Sequence, residues 1–335
     1  MTMDLSTWHG MRMRDPRRLV IGSAHWDAPL DRTDAKGTSA TTEIAAMLSR
    51  ARKAGLRTIE TARAYGHSEA QIGRATADQE GWRVLTKLSP DVHRAGLDIA
   101  ETLDRADRSL DESRRALGRD ALPVLMLHRF SHRHACGGRL WRKLLTERES
   151  GRIGALGVAA ATPEEAWAAL QDPDIEVLEV ASSLLDLRLH RQGFFPRARE
   201  LGRSVHVHSV FLEGVALLDP ERLPPFLIDL VAPLRTIRSS AARLGVTTRA
   251  LHLAFVRALP GASPIIPCET DSEFEGLLAD WASEAIDDTR IGQLVDSLPT
   301  LDSAAVDPSR WPTSEKTTGT PANQPAARSV ATMLA

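Results

Sequence analysis

The chain has 335 residues, 42% of them hydrophobic, and a formal net charge of -2. That length suits one large α/β domain or two small ones with a sizeable core. The balance of 42 Lys and Arg against 44 Asp and Glu excludes the basic field that a nucleic-acid partner would need. No apolar run reaches the roughly 18 to 20 residues of a membrane helix, so no membrane partner is expected. The opening "MTMDLSTWHGMRMRDPRR" lacks the apolar centre of a signal peptide, so a cytoplasmic location is expected. Cys136 and Cys268 lie in separate segments without metal-type spacing, and disulfides are not expected to hold the fold.

Short β-rich runs alternate with amphipathic stretches along the chain. "RLVIGSA" (18–24) predicts the first strand and Thr42 to Ala54 a helix; "LRTIE" (56–60) and Ser68 to Ala77 repeat the pair. "RVLTKL" (83–88) precedes a helix over Leu97 to Leu117, and "PVLMLH" (123–128) one over Arg139 to Glu149. "IGALGVA" (153–159) is followed by Pro163 to Leu170, where Thr162 caps, Pro163 fills the first turn and acids follow. "VLEVA" (177–181) precedes Pro196 to Leu201, and "SVHVHS" (204–209) precedes Leu227 to Leu244 and Thr248 to Ala258; "SPIIP" (263–267) is the eighth strand. Eight strands and eight helices suggest a parallel sheet closed as a (β/α)8 TIM barrel, a single α/β domain over residues 1–300. An open doubly wound sheet is the runner-up, but "IGSAHWD" offers only Gly22 where a dinucleotide fingerprint would need GxGxxG. Residues 301–335, with "TSEKTTGTPANQPAARS", are polar and rich in Thr, Pro and Ala, and are expected to be a flexible tail.

In such a barrel, chemistry is sought at the carboxyl ends of the strands. Glu60 closes the second predicted strand, Tyr65 follows it, Lys87 closes the third and His128 the fourth; Tyr65 is the only tyrosine in the chain. Singly, each has an ordinary explanation as a solvated charge, a rim histidine or half-buried packing. Together they form a set able to deliver a proton to a carbonyl oxygen. A lysine beside the phenol is expected to lower its pKa, and a carboxylate to hold the lysine charged.

At these residues the chain resembles the aldo-keto reductase superfamily, over roughly Leu19 to Ser283. "GLRTIETARAYGHSEAQIGRA" is similar to the family's segment around its catalytic tyrosine, "VLTKL" to its lysine strand and "VLMLHRF" to its histidine strand. "SGRIGALGVAAATPEEA" and "SVHVHSVFLEGVALL" match later landmarks, the second especially those of a bacterial branch. The resemblance implies a (β/α)8 barrel, reduction of an aldehyde or ketone of a small metabolite with NADPH or NADH, and a tetrad of Glu60, Tyr65, Lys87 and His128. Tyr65 would be the proton donor. For the cofactor it implies contacts from Glu179, His208, Ser209, Phe211, Cys268 and Glu273. Trp26 and Phe130 are candidate substrate contacts, and Trp281 a further aromatic near the pocket.

Several positions depart from the family pattern. Glu60 stands where the family has aspartate, and one added methylene moves the carboxylate by about 1.5 Å, enough to alter its contact with Lys87. Ala159 and Ala160 stand where side chains usually bind the nicotinamide carboxamide, and Glu179 where a glutamine does. A glutamate can still accept a hydrogen bond. His208 takes the place of an aromatic under the ring. After the eighth strand, Cys268 replaces glycine and Leu277 an asparagine, while Glu269, Asp271 and Glu273 are expected to repel the extra phosphate of NADPH. Two alternatives therefore stay open beside the reductase: a non-redox enzyme that uses Tyr65, Lys87 and His128 for proton transfer (a dehydratase, epimerase or cyclase), and a non-catalytic binding protein. His128, His132, His134 and Cys136 crowd nine residues, but fit no standard closed zinc site and are read as a polar loop over the pocket, with no metal. His206 and His208 point to one side of their strand.

Overall fold

The computed structural model describes residues 18–26, 40–268 and 270–312. Eight parallel strands close in chain order: β1 (Val20–Gly22), β2 (Thr58–Glu60), β3 (Arg83–Lys87), β4 (Leu122–Leu127), β5 (Ile153–Ala160), β6 (Val177–Ala181), β7 (Ser204–His208) and β8 (Ala262–Pro267). Pairing of Val20 with Ile265 joins β1 to β8 and removes the sheet's edges. The strands read as nearly unbroken apolar runs because both faces are buried, one against helices and one inside the barrel. Leu85, Val124, Met126, Ala155 and Val177 form a separate inner cluster. Leu85 and Val177 lie two residues before Lys87 and Glu179. With a side-chain period of two, this apolar layer lies beneath the polar groups at the strand ends.

The helices are α1 (Ala40–Lys53), α2 (Ser68–Thr76), α3 (Ile99–Leu117), α4 (Ala135–Glu149), α5 (Pro163–Gln171), α6 (Arg188–Arg191), α7 (Phe194–Glu200), α8 (Val231–Leu244), α9 (Thr248–Ala258), α10 (Asp271–Ala282), α11 (Asp288–Ser297) and α12 (Ser303–Val306). Their ends follow local chemistry. Asp98 and Glu101 form a capping box at the start of α3, and Gly118 ends it in the left-handed region. Thr162 caps α5 by accepting from the Glu165 N–H at 3.3 Å, with Pro163 in the first turn.

The eight predicted helices all have counterparts among the twelve α-helices of the described residues, but they do not follow the strands one for one. Both α8 and α9 lie in the seventh connection, and α10, after β8, completes the ring. Its start was hidden because the acidic run from Glu269 to Glu273 reads as exposed pocket charge. The Thr270 hydroxyl accepts from the Glu273 N–H at 3.2 Å and the Thr270 N–H donates to the Glu273 carboxylate at 3.3 Å. This is a helix-start pattern, T-x-x-E. Glu269 lies outside the described residues.

The segment expected to be loose from Leu301 is folded as far as Pro312. Ala305, Val306 and Trp311 are buried, and the Trp311 indole donates to the Ala305 carbonyl at 3.2 Å while packing 6.1 Å from the Phe226 ring. Residues 313–335 lie outside the described residues.

Thr162→Ala removes the acceptor of the Glu165 N–H at an exposed helix start and is expected to lower unfolding free energy by about 1 kcal/mol. Urea denaturation of the two proteins checks this; no change would mean that Pro163 and the acidic first turn suffice to start α5.

Candidate active site

Four strands bring the polar cluster together. Glu60 ends β2, Lys87 ends β3, His128 follows β4 directly, and Glu179 sits in β6. Tyr65 comes from the loop between β2 and α2, and that loop is pinned at both ends. The Ser68 hydroxyl donates to the Ser23 carbonyl beyond β1 at 2.8 Å, and buried Glu69 accepts from Thr86 of β3 at 2.7 Å. The Arg63 N–H donates to the Lys87 carbonyl at 3.1 Å. Gly66 turns the chain at φ 55°, a backbone state that favours glycine. The tyrosine is therefore delivered by a short, braced turn.

Lys87 is the hub. Its ammonium donates to the Tyr65 hydroxyl at 3.2 Å, pairs with Glu179 Oε1 at 3.0 Å and makes a close contact with Glu60 Oε1. The added methylene of Glu60 therefore keeps the contact with Lys87. The His128 ring meets the Tyr65 ring edge-on, centroids 6.4 Å apart. Lys87, Glu60 and Glu179 are all buried, at 1%, 3% and 5% exposure, so they feel each other with little solvent screening.

The charge count is one ammonium to two carboxylates. Burial pushes the Glu60 carboxyl above its usual range, with Lys87 opposing it and Glu179 adding to it. Burial pulls Lys87 down, but Glu179, Glu60 and Tyr65 outweigh it and hold the ammonium well above its ordinary value. The Tyr65 phenol is raised, first by burial and then by Glu60, against a smaller lowering by Lys87. This reverses the sequence-based expectation that Lys87 would lower it. The reason is burial first, then Glu60; Glu179, which the sequence placed only against a cofactor, adds a smaller push in the same direction. Burial and then Lys87 push His128 down to about 3, so its imidazole is neutral at physiological pH.

These groups line one cavity of about 900 Å³, a volume suited to a cofactor or small ligand. Glu60, Tyr65, Lys87, His128, Ala159, Ala160, Glu179, His208, Ser209, Phe211, Cys268, Glu273 and Leu277 all face it. Residues 307–309, from the segment expected to be a tail, complete its rim. Trp26 does not. It is packed in the core, its indole donating to the Cys268 carbonyl at 2.8 Å, so it ties the loop after β1 to the loop after β8. Phe130 packs against the core and His134 rather than lining the cavity, although Arg129 and Ser131 beside it do. Trp281 is likewise core.

Donors of the histidine-rich loop diverge. His132 is buried edge-on to His93, His134 meets Phe130, and Cys136 Sγ lies 3.9 Å from His93 Nδ1. Among the described residues no three metal-ligating side chains come together. On β7, buried His206 lies within the barrel while His208 reaches the cavity, its Nδ1 2.9 Å from Ser209 Oγ.

At the far end of the cavity the acids are partnered. Asp271 is held by both arms of the Arg50 guanidinium at 2.6 Å, and Glu273 is engaged in the helix cap. A cation also faces the cavity there, which the sequence reading missed. Arg249 of α9 is fixed by Asp280 at 2.5 Å. Gly276 leaves its space: a β-carbon there would come within 2.6 Å of Arg249 Nη2. Only the T-T-R start of α9 could have hinted at it. The loop after β7 is also unusual, with Ser209, Leu212 and Glu213 at φ of 55°, 47° and 53°, followed by Gly214 at 85°. Such left-handed turns aim backbone N–H groups into a concavity that suits an anion, and non-glycine residues in that region mark functional loops.

A family model, Aldo/keto reductase family, matches residues 18–294. The chain belongs to this family. As a member of it, it shares its fold with solved structures of low identity. A holo-form aldo-keto reductase from Bacillus halodurans is 17% identical, with a TM-score of 0.66, covering 88% of this chain and 95% of its own. A glycerol dehydrogenase from Gluconobacter oxydans is 18% identical, TM-score 0.64, covering 90% and 95%. An aldo-keto reductase from Klebsiella pneumoniae, solved in complex with NADP and acetate, is 18% identical, TM-score 0.61, covering 83% and 89%.

Lys87→Met leaves two buried carboxylates without their cation, and at neutral pH is expected to cost about 3–5 kcal/mol of stability. The sign follows from Glu60. Its folded pKa is raised above the unfolded value, so its contribution is full at acid pH and is lost as pH rises through the folded value. Removing Lys87 raises it further. Urea unfolding should therefore show a larger gap between variant and parent at pH 8 than at pH 5; a constant gap would mean that the carboxylates are not the groups left uncompensated.

Proposed function

We propose that this family member is a nicotinamide-dependent oxidoreductase that reduces the aldehyde or ketone of a small metabolite, with Tyr65 as proton donor. The observation that carries the reading is Tyr65 Oη held 3.2 Å from buried Lys87 Nζ at the floor of a cavity that His128 also lines. The cavity fits a nicotinamide cofactor on this chain's own terms. Glu179 Oε2 is buried and has no partner among the described residues, so it can accept from a carboxamide N–H. Arg249, in the notch left by Gly276, suits a phosphate, so NADPH is an acceptable ligand as well as NADH. NADP in the Klebsiella pneumoniae relative supports the same class of cofactor.

When bound, such a cofactor supplies a hydride to the carbonyl carbon. The protein's share is the proton. Tyr65 keeps its phenolic proton through the physiological range, because burial and Glu60 raise it, and so stays loaded as an acid. Neutral His128 can donate one ring N–H to the carbonyl oxygen. Lys87 faces the phenolate oxygen left behind and offsets its charge. Glu60 and Glu179 hold that ammonium in place.

A second reading is favoured by Ala159 and Ala160, which face the cavity with no side-chain hydrogen bond to offer a carboxamide. Here Tyr65, Lys87 and His128 would transfer protons without a cofactor, as in a dehydration or epimerisation.

Tyr65→Phe is expected to lower NAD(P)H-linked reduction of a panel of small aldehydes and ketones by at least about a hundredfold, the usual general-acid contribution, with the thermal transition little changed. Activity kept within tenfold would remove Tyr65 from the mechanism. Turnover that needs Tyr65 but no added cofactor would select the second reading. Arg249→Ala should weaken NADPH binding by about tenfold and leave NADH binding nearly unchanged, since it deletes a charge-assisted contact to the extra phosphate alone. Calorimetry with both cofactors decides, and an equal effect on both would place Arg249 elsewhere.

A further inference from the structure

Glu179 brings to the cavity wall a charge that a hydrogen-bond acceptor there does not require. Lys87 already has one buried carboxylate, Glu60, in direct contact. Glu179 adds a second at 3.0 Å and keeps Oε2 buried without a partner at the cavity wall. The neighbouring groups give it no second ion pair: Arg129 also lines the cavity, but among the described residues Glu179 pairs with Lys87 alone. His128 and His208 are each driven neutral, chiefly by burial, to about 3 and about 4. Arg188 is drawn off by Asp186, with two contacts of 2.7 Å. The floor thus sets two carboxylates against one ammonium, and a cationic ligand beside Glu179 would complete the balance.

From this we infer that Glu179 makes the floor of the cavity prefer the oxidised, positively charged nicotinamide over the reduced, neutral one. The inference rests on the oxidoreductase reading and deepens it. The two redox forms of the cofactor differ at the ring by one positive charge and little in shape, so a buried carboxylate beside the ring discriminates between them by charge. An amide at the same position would accept the same hydrogen bond without that discrimination. The consequence for reduction is specific. Glu179 would stabilise the positive charge that a nicotinamide acquires on giving up a hydride, and would favour retention of the oxidised form.

The test is binding to the intact protein and to Glu179→Gln, with NADP+, NADPH, NAD+ and NADH as the probes, by calorimetry and by the fluorescence of the reduced forms. The unaltered protein is expected to bind the oxidised form of at least one pair about tenfold more tightly than the reduced form, and Glu179→Gln to shift that ratio about tenfold toward the reduced form. Glu179→Asp, which keeps the charge, should shift it less than Gln. A reduced form bound as tightly as the oxidised one by the unaltered protein overturns the inference even if the variants do not fold. So does a ratio that Glu179→Gln leaves in place, and in both cases the oxidoreductase reading stands. Absence of binding of all four forms overturns the two together.

Discussion

One buried ammonium shared between two buried carboxylates organises this site. Lys87 is held charged at 1% exposure by Glu179 and Glu60, and Lys87 in turn opposes the burial that pushes the Glu60 carboxyl up. Tyr65 is tied to the group through its hydroxyl, so the properties of the phenol are those of the cluster rather than of any one neighbour. This explains the reversal at Tyr65. A lysine alone would favour the phenolate; a lysine already claimed by two acids, in a buried place, does not.

The barrel makes such a cluster affordable. Parallel strands closed into a ring point alternate side chains inward, so residues two apart on β3 and β6 place an apolar layer, Leu85 and Val177, below a polar one, Lys87 and Glu179. The apolar layer excludes water from beneath the charges, which strengthens every interaction above it. The loops then add what the strands cannot. The turn carrying Tyr65 is fastened to Ser23 and Thr86, and the segment after α11, with residues 307–309, folds back to finish the rim.

Much of this was legible in the sequence because it follows periodicity and local chemistry. All eight strands fell where apolar β-rich runs lie, and Thr162 capped the helix its neighbours announced. Glu60, Tyr65, Lys87 and His128 converge because strand ends in a barrel must. Long-range partnerships were not legible. That Arg50 would neutralise Asp271, that Glu179 would reach Lys87, and that Arg249 would enter the cavity through a notch at Gly276 depend on residues 20 to over 200 positions apart. Aromatic side chains misled for a related reason. Trp26 and Phe130 stand near strand ends, yet the core took the first fully and the second in part, since large apolar rings gain from burial. The acidic run after β8 misled because the same residues that can repel a phosphate can also start a helix.

Tyr65 is the only tyrosine in the chain, so its ionisation can be watched directly as phenolate ultraviolet absorbance in the unaltered, folded protein. If burial and the two carboxylates outweigh Lys87, no phenolate should form as pH is raised past about 10, the ordinary value for a tyrosine, while the fold persists. A phenolate signal rising between about pH 7 and 9 in the folded protein, below that ordinary value, would contradict the account, because it would mean that Lys87 is free to stabilise the phenolate and that Glu60 and Glu179 do not share it.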